Sequence, residues 1–225
     1  MLFRSAFSRN CLVLASGVSN SNEHRDAEFR REAETVEAAM RAHPTSRVIY
    51  FSTSSILQKS QTPYIRHKLE MEARVAAAAS SFHIYRLPQV VGPTRNLTLV
   101  SYFVESLLQR HRVKVQRHAK RNLVDVGDVA RLIHHLVEHD ISPNSTQSLA
   151  SAHSVHVVDV LNAIGGLLDV EPIFDVVDAG ESYDISTAFV NRHFGSVDPL
   201  MKSDYWRAVL QKHVPAIASK IRSTA

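Results

Sequence analysis

Tyr64 and Lys68 stand four residues apart at the head of an Ala-, Glu- and Arg-rich segment, PYIRHKLEMEARVAAAA. That composition predicts a helix, and the i, i+4 spacing puts both side chains on one face. A phenol titrates near ~10 in water, so alone it is a poor acid or base at neutral pH. An ammonium one helical turn away favours the phenolate and lowers that value. Upstream lie four consecutive hydroxyl residues, Ser52, Thr53, Ser54 and Ser55. A hydroxyl from that cluster would hydrogen-bond the reacting oxygen of a substrate. The set amounts to a proton carrier, its tuner and a polarising group, which is the equipment of general acid–base catalysis.

Positioning these groups needs a strand, a loop and a helix, and the sequence supplies them. Val48 to Phe51, VIYF, reads as a buried strand that ends in the hydroxyl cluster, and Pro63 closes the polar loop beyond it. Before it, Cys11 to Ala15 forms a short apolar strand running into the small polar turn Ser16 to Ser21. A helix follows over residues 24–42, with Phe29, Ala33, Val36 and Met40 on one stripe, and His43-Pro44 ends it. The second helix covers 64–79. Phe82 to Leu87 is the next strand, with a turn-rich exit from Pro88 to Pro93. A helix is expected at 97–110, a strand at Val113 to Gln116 and an extended piece at Leu123 to Val126. Asp128 is placed to cap a helix of residues 129–139. Shorter signals give a strand at Gln147 to Ala150, a helix at 155–168 weakened by Gly165-Gly166, a strand at Ile173 to Val177 and a last helix at 203–213. Strands alternating with helices argue for an α/β chain, a parallel sheet covered on both faces in the doubly wound dinucleotide-binding order.

Composition narrows the classes. The chain has 225 residues with 44% hydrophobic and 21% charged content, ordinary for one globular domain or one with a small appendage. No stretch approaches the ~20 apolar residues of a membrane span. Cys11 is the only cysteine, which excludes an intrachain disulfide and a cysteine-based metal site, and no metal is expected. A cytoplasmic location fits that usage. The formal charge of +4 suits a phosphate-bearing ligand. It does not point to nucleic acid: the lysines and arginines are spread along the chain, and the one basic run, Arg110 to Arg121, alternates like a strand. The N-terminus, MLFRSAFSRN, is too broken in its apolar run for a secretory signal.

The strand, hydroxyl cluster, loop and Tyr-x-x-x-Lys together resemble the short-chain dehydrogenase/reductase superfamily, and within it the extended branch of nucleotide-sugar epimerases, dehydratases and reductases. The resemblance implies a Rossmann-like sheet with a small C-terminal substrate lobe, here residues 1–140 and 141–225, the lobe interleaved with the core. It implies NAD or NADP as cofactor, a nucleotide-sugar substrate in polysaccharide biosynthesis, and possible homodimers through the helices at 24–42 and 64–79. Lining FSTSSIL up with the branch's strand-end pattern puts Thr53 at the catalytic Ser/Thr position, with Ser54 the second choice and otherwise near the substrate. Tyr64 and Lys68 match the catalytic Tyr and Lys, Lys68 also holding the ribose. LASGVS, Leu14 to Ser19, resembles the segment that passes under the cofactor, implying contacts from Ala15, Ser16 and Gly17. RLPQVVGP, Arg86 to Pro93, resembles Arg-x-x-Asn-Val-x-Gly-Pro, putting Pro88 by the nicotinamide and Gln89, in place of the commoner Asn, toward the sugar nucleotide. RNLVDVGDVA, Arg121 to Ala130, resembles Arg-Asp-Phe/Tyr-Val-His-Val-x-Asp-Val-Ala and implies that Arg121 binds the diphosphate. Tyr183 and Asp184 would line the substrate lobe or pack locally.

One family feature is missing from this sequence. The fold opens on a strand, a G-x-G-x-x-G or G-x-x-G-x-x-G turn and a helix, and the first glycine here is Gly17. Residues 1–9 look like the helix that follows such a turn. Two expectations compete. One is a compact, atypical enzyme whose first strand and glycine turn are missing through a late start codon or a truncation, and it is favoured. The other is a cofactor-free, non-catalytic relative serving as a binding or assembly subunit. A basic RNA-binding or mitochondrial relative is a third, suggested only by charge and the N-terminal arginines.

Overall fold

The computed structural model describes residues 10–15, 17–94 and 98–223. The expectations for Ser16 and for residues 1–9 fall outside them. In chain order the elements are β1 (Cys11–Leu14), α1 (Asp26–Ala42), β2 (Arg47–Thr53), a 3-10 turn (Ser54–Leu57), α2 (Pro63–Ala78), β3 (Phe82–Leu87), β4 (Gln89–Val91), α3 (Leu99–Leu108), β5 (Val113–Gln116), β6 (Lys120–Asp125), α4 (Val126–Glu138), β7 (Ser145–Ser148), β8 (Ser154–His156), α5 (Val157–Leu168), β9 (Phe174–Val177), α6 (Ala188–Phe194), a 3-10 turn (Pro199–Met201) and α7 (Tyr205–Arg222). The chain divides into two compact units, residues 1–87 with 130–149, and residues 88–129 with 150–225.

The first unit is a Rossmann-like α/β layer. Its four strands are parallel, in the order β1-β2-β3-β7. The register pairs Leu14 with Tyr50, Tyr50 with Ile84 and Ile84 with Thr146. Parallel strands are buried on both faces, which is why VIYF reads as a continuous apolar run rather than an alternating one. Val48, Tyr50 and Ile84 pack against Val36 and Met40 of α1 and Met71 and Val75 of α2. Alternation turns Ile49 and Tyr85 to the opposite face, where they are also buried. α2 starts sharply. Pro63 occupies its first turn, where a missing N–H is harmless, and the Thr62 hydroxyl accepts from the Ile65 amide at 3.3 Å.

In the second unit β4 runs parallel to β6, β8 pairs antiparallel with β6, and β5 pairs parallel with β9. α3, α5 and α7 pack on one another, and α7 also lies against β4 and β6. α7 extends well past the expected 203–213. Its buried stripe, Val209, Leu210, His213, Val214, Ile217 and Ala218, continues through Pro215 and carries the helix with it. β8 and α6 were not expected. β8 has three half-buried residues, too few to show a period.

The cap of α4 is a correction. The helix begins at Val126, and its cap is Asp125 rather than Asp128: Asp125 Oδ1 accepts from the amides of Gly127 at 2.7 Å and Asp128 at 3.0 Å. Asp128 instead accepts from the Tyr205 hydroxyl at 2.8 Å. Among the described residues no helix is long and apolar enough to cross a membrane.

Candidate active site

The site is built where β2 leaves the parallel sheet, the position at which open α/β sheets bind ligands. Ser52 and Thr53, which end the strand, and Ser54, which opens the 3-10 turn, take three different jobs. Ser52 donates to Glu72 Oε1 at 2.5 Å, and Glu72 in turn clamps the Arg86 guanidinium through contacts of 3.0 and 2.6 Å. Ser54 is fully buried and donates to the Arg86 carbonyl at 3.4 Å. Thr53 caps the 3-10 turn, its Oγ1 accepting from the Ser55 amide at 3.1 Å.

Tyr64 and Lys68 share a face of α2, as their spacing requires, and both are buried. Lys68 Nζ lies 6.0 Å from the centre of the Tyr64 ring and 5.3 Å from that of Tyr50. Tyr64 packs with Val18 and Ile65, flanked by Phe29 and Ile56.

The ammonium has a partner that sequence reasoning missed. Glu32, on α1 and 1% exposed, offers Oε1 to Lys68 Nζ at 2.8 Å and to the Tyr50 hydroxyl at 2.7 Å. Its Oε2 receives the Val18 amide at 2.7 Å and His67 Nε2 at 3.0 Å. Lys68 Nζ also donates to the Tyr50 hydroxyl at 3.2 Å. The signal was present in the sequence. Glu32 falls three residues after Phe29 and four before Val36, on the apolar stripe of α1, where a charge must find partners or not be buried.

Electrostatics follow from that geometry. Burial pushes the Glu32 carboxyl up, but the His67 hydrogen bond, the Lys68 charge and the Val18 amide outweigh it and bring it down to about 2. Burial pulls the Lys68 ammonium below its ordinary value, with the Glu32 carboxylate working against that pull. Burial, then the charge of Glu32, raises the Tyr50 phenol far above the ordinary tyrosine range, so Tyr50 stays a neutral hydrogen-bonding group.

Gly17 closes the cluster from the β1 side. A Cβ there would fall 2.4 Å from Glu32 Oε1 and 2.8 Å from Lys68 Nζ, so the backbone itself lies against the ion pair. Ala15, just past β1, is exposed. This corner fits the ribose side of a dinucleotide: of three ammonium protons, Glu32 and Tyr50 take two, and the adjoining backbone carries no side chain. Gly17, Tyr64 and Lys68 are therefore brought together, with Thr53 at the end of the adjoining strand.

The remaining candidates belong to the second unit. Pro88 precedes β4, and Gln89 opens it in register with Leu123. Arg121 lies on β6 opposite Val155, its Nη1 donating to the carbonyls of Lys120 at 2.7 Å and Glu181 at 3.5 Å. All three are half-buried, as is Tyr183, while Asp184 is exposed. A further buried network in this unit joins Asp125 to His213 and Lys212.

Comparison with known proteins places this architecture. The model of the NAD dependent epimerase/dehydratase family matches residues 10–147. No curated protein matches the chain. Among solved structures, the Bordetella bronchiseptica enzyme WbmH in complex with NAD+ is similar at 19% identity, over 92% of this chain and 74% of that one, with a TM-score of 0.72. RMD from Pseudomonas aeruginosa, complexed with NADPH, is similar at 14% identity over 96% and 82%, with a TM-score of 0.72. A UDP-glucose-4-epimerase from Stenotrophomonas maltophila, with bound NAD and formylated UDP-arabinopyranose, is similar at 15% identity over 96% and 78%, with a TM-score of 0.72.

Proposed function

Because the chain belongs to the NAD-dependent epimerase/dehydratase family, we propose that it acts on a nucleotide-sugar with NAD or NADP, as an epimerase, dehydratase or reductase. The observation that carries this reading is Lys68: a buried ammonium near the Tyr64 ring, against the side-chain-free backbone of Gly17. In this reading residues 1–140 carry the dinucleotide-binding core and 141–225 the smaller substrate lobe, interleaved with the core.

Each residue has a role. Thr53 polarises the sugar hydroxyl or keto oxygen, with Ser54 the alternative. Tyr64 gives or takes the proton on that oxygen, and the Lys68 charge favours its phenolate. The remaining Lys68 proton meets a ribose hydroxyl, beside the backbone of Ala15, Ser16 and Gly17, and Pro88 borders the nicotinamide. Gln89 and Arg121 hold the sugar nucleotide. The nicotinamide, when bound, supplies hydride transfer to or from the sugar carbon.

Titration calorimetry with NAD+, NADH, NADP+ and NADPH tests this, followed by a panel of UDP-, GDP- and dTDP-sugars with products read by NMR. Saturable binding of one cofactor pair and turnover of one sugar are expected. Absence of binding by all four ends the reading. It would leave the second one, a non-catalytic binding or assembly subunit.

A further inference from the structure

We propose that Glu32 is a positioning residue that fixes Lys68 and the backbone after β1 in one arrangement, so that both meet the cofactor ribose together. The inference rests on the cofactor reading given above for what Lys68 contacts. It does not rest on it for what Glu32 holds.

Three separate segments converge on this one carboxylate. Oε2 takes the Val18 amide, which fixes the turn after β1, and the His67 ring on α2. Oε1 takes Lys68, also on α2, and Tyr50, from the centre of β2. The Lys68–Tyr50 bond closes a triangle on Oε1. His67 is held independently by stacking on Phe29, with ring centres 4.7 Å apart. A lysine has a long, freely rotating stem, so a ribose-binding ammonium needs something to select its rotamer. Oε1 does this from one side and the Gly17 backbone limits the space on the other. Breaking a buried pair by removing one charge leaves the other uncompensated, so the arrangement depends on the carboxylate being ionised.

Lys68 would be followed by NMR of ε-13C-labelled lysine in the unliganded chain, in parallel with NAD+ and NADP+ titrations and thermal unfolding. Glu32→Gln keeps the shape and removes the charge. The Lys68 titration midpoint is expected to move down at least one pH unit in this variant. Affinity for the bound nucleotide is expected to fall at least tenfold, with no further loss when Glu32→Gln is added to Lys68→Met. An unmoved midpoint, or an affinity loss that persists in the Lys68→Met background, overturns the proposal and makes Glu32 a residue of general stability. Glu32→Asp, which retains the charge but shortens its reach, decides by the same two readouts if Glu32→Gln does not fold. Failure of both to fold also counts against positioning. If the unaltered chain binds neither nucleotide, the cofactor reading fails separately, and the Lys68 midpoint alone decides whether Glu32 holds the ammonium.

Discussion

His213 Nε2 lies 2.5 Å from Asp125 Oδ2, with both side chains buried. The same carboxylate caps α4 through Oδ1 and meets Lys212 Nζ at 2.9 Å. Asp125 thus ties the start of one helix to the middle of another. Asp125→Ala removes the cap and strands a buried imidazole, an expected loss of about 3–5 kcal/mol. Asp125→Asn retains an acceptor for the amides of Gly127 and Asp128 and is expected to lose about 1–2 kcal/mol. Urea unfolding of the two variants at pH 7 measures both.

Two glycines make opposite predictions. Gly17→Ala drives a methyl into the Glu32–Lys68 pair and is expected to destabilise by about 1–3 kcal/mol. It should also weaken nucleotide binding in calorimetry. Gly166→Ala lies inside α5 with nothing within 4 Å of the new Cβ, and is expected to raise stability by about 0.5–1 kcal/mol. Equal effects of the two substitutions in thermal unfolding would contradict the packing around Gly17.

Acid stability has two windows. His83 is buried, and its Nε2 has no hydrogen-bond partner among the described residues. Burial, then the nearby Arg47 charge, brings its imidazole down from 6.5 to about 4. Between those values the unfolded chain binds the proton that the fold refuses, so stability falls as pH drops from 6.5 toward 4, by up to roughly 3 kcal/mol. Glu32 contributes stability that is present above 4.5 and is lost as pH falls toward 2. His83→Phe is expected to flatten the first window and leave the second. Urea midpoints measured from pH 7.5 to 3 would show a single unbroken slope in both proteins if this is wrong.

The proposed catalytic residues separate by readout. Tyr64→Phe should lower turnover by about 10²–10⁴-fold while nucleotide affinity stays within about twofold. Lys68→Met should lose both. Thr53→Ala should lose turnover and also about 1 kcal/mol of stability, because the Ser55 amide loses its acceptor, whereas Thr53→Ser should keep both. Steady-state kinetics on the sugar identified by the panel, beside calorimetry and thermal unfolding, distinguish these patterns.

Much of the first unit was legible because its signals are local. VIYF and FHIYRL are runs that only a doubly buried strand needs, and Thr62-Pro63 announces α2 by cap and fixed φ. Tyr64 and Lys68 share a face because four residues make roughly one turn. Glu32 was missed because a carboxylate on a stripe reads as an interruption until its four partners, from the turn after β1, the strand β2 and the helix α2, are seen together. The capping role of Asp125 was given to Asp128 because both precede apolar residues, and only the amide directions choose between them. α7 was cut short although its stripe continues past Pro215.

The absence of a side chain at Gly17 has a consequence for transplanting this chemistry. A Tyr-x-x-x-Lys pair can be written onto any helix, yet here the lysine is oriented by an acid from α1, a phenol from β2 and bare backbone following β1. The smallest portable unit is therefore not a motif but a junction of Gly17, Glu32, Tyr50, Tyr64 and Lys68. A scaffold receiving only the last two would inherit a lysine free to swing.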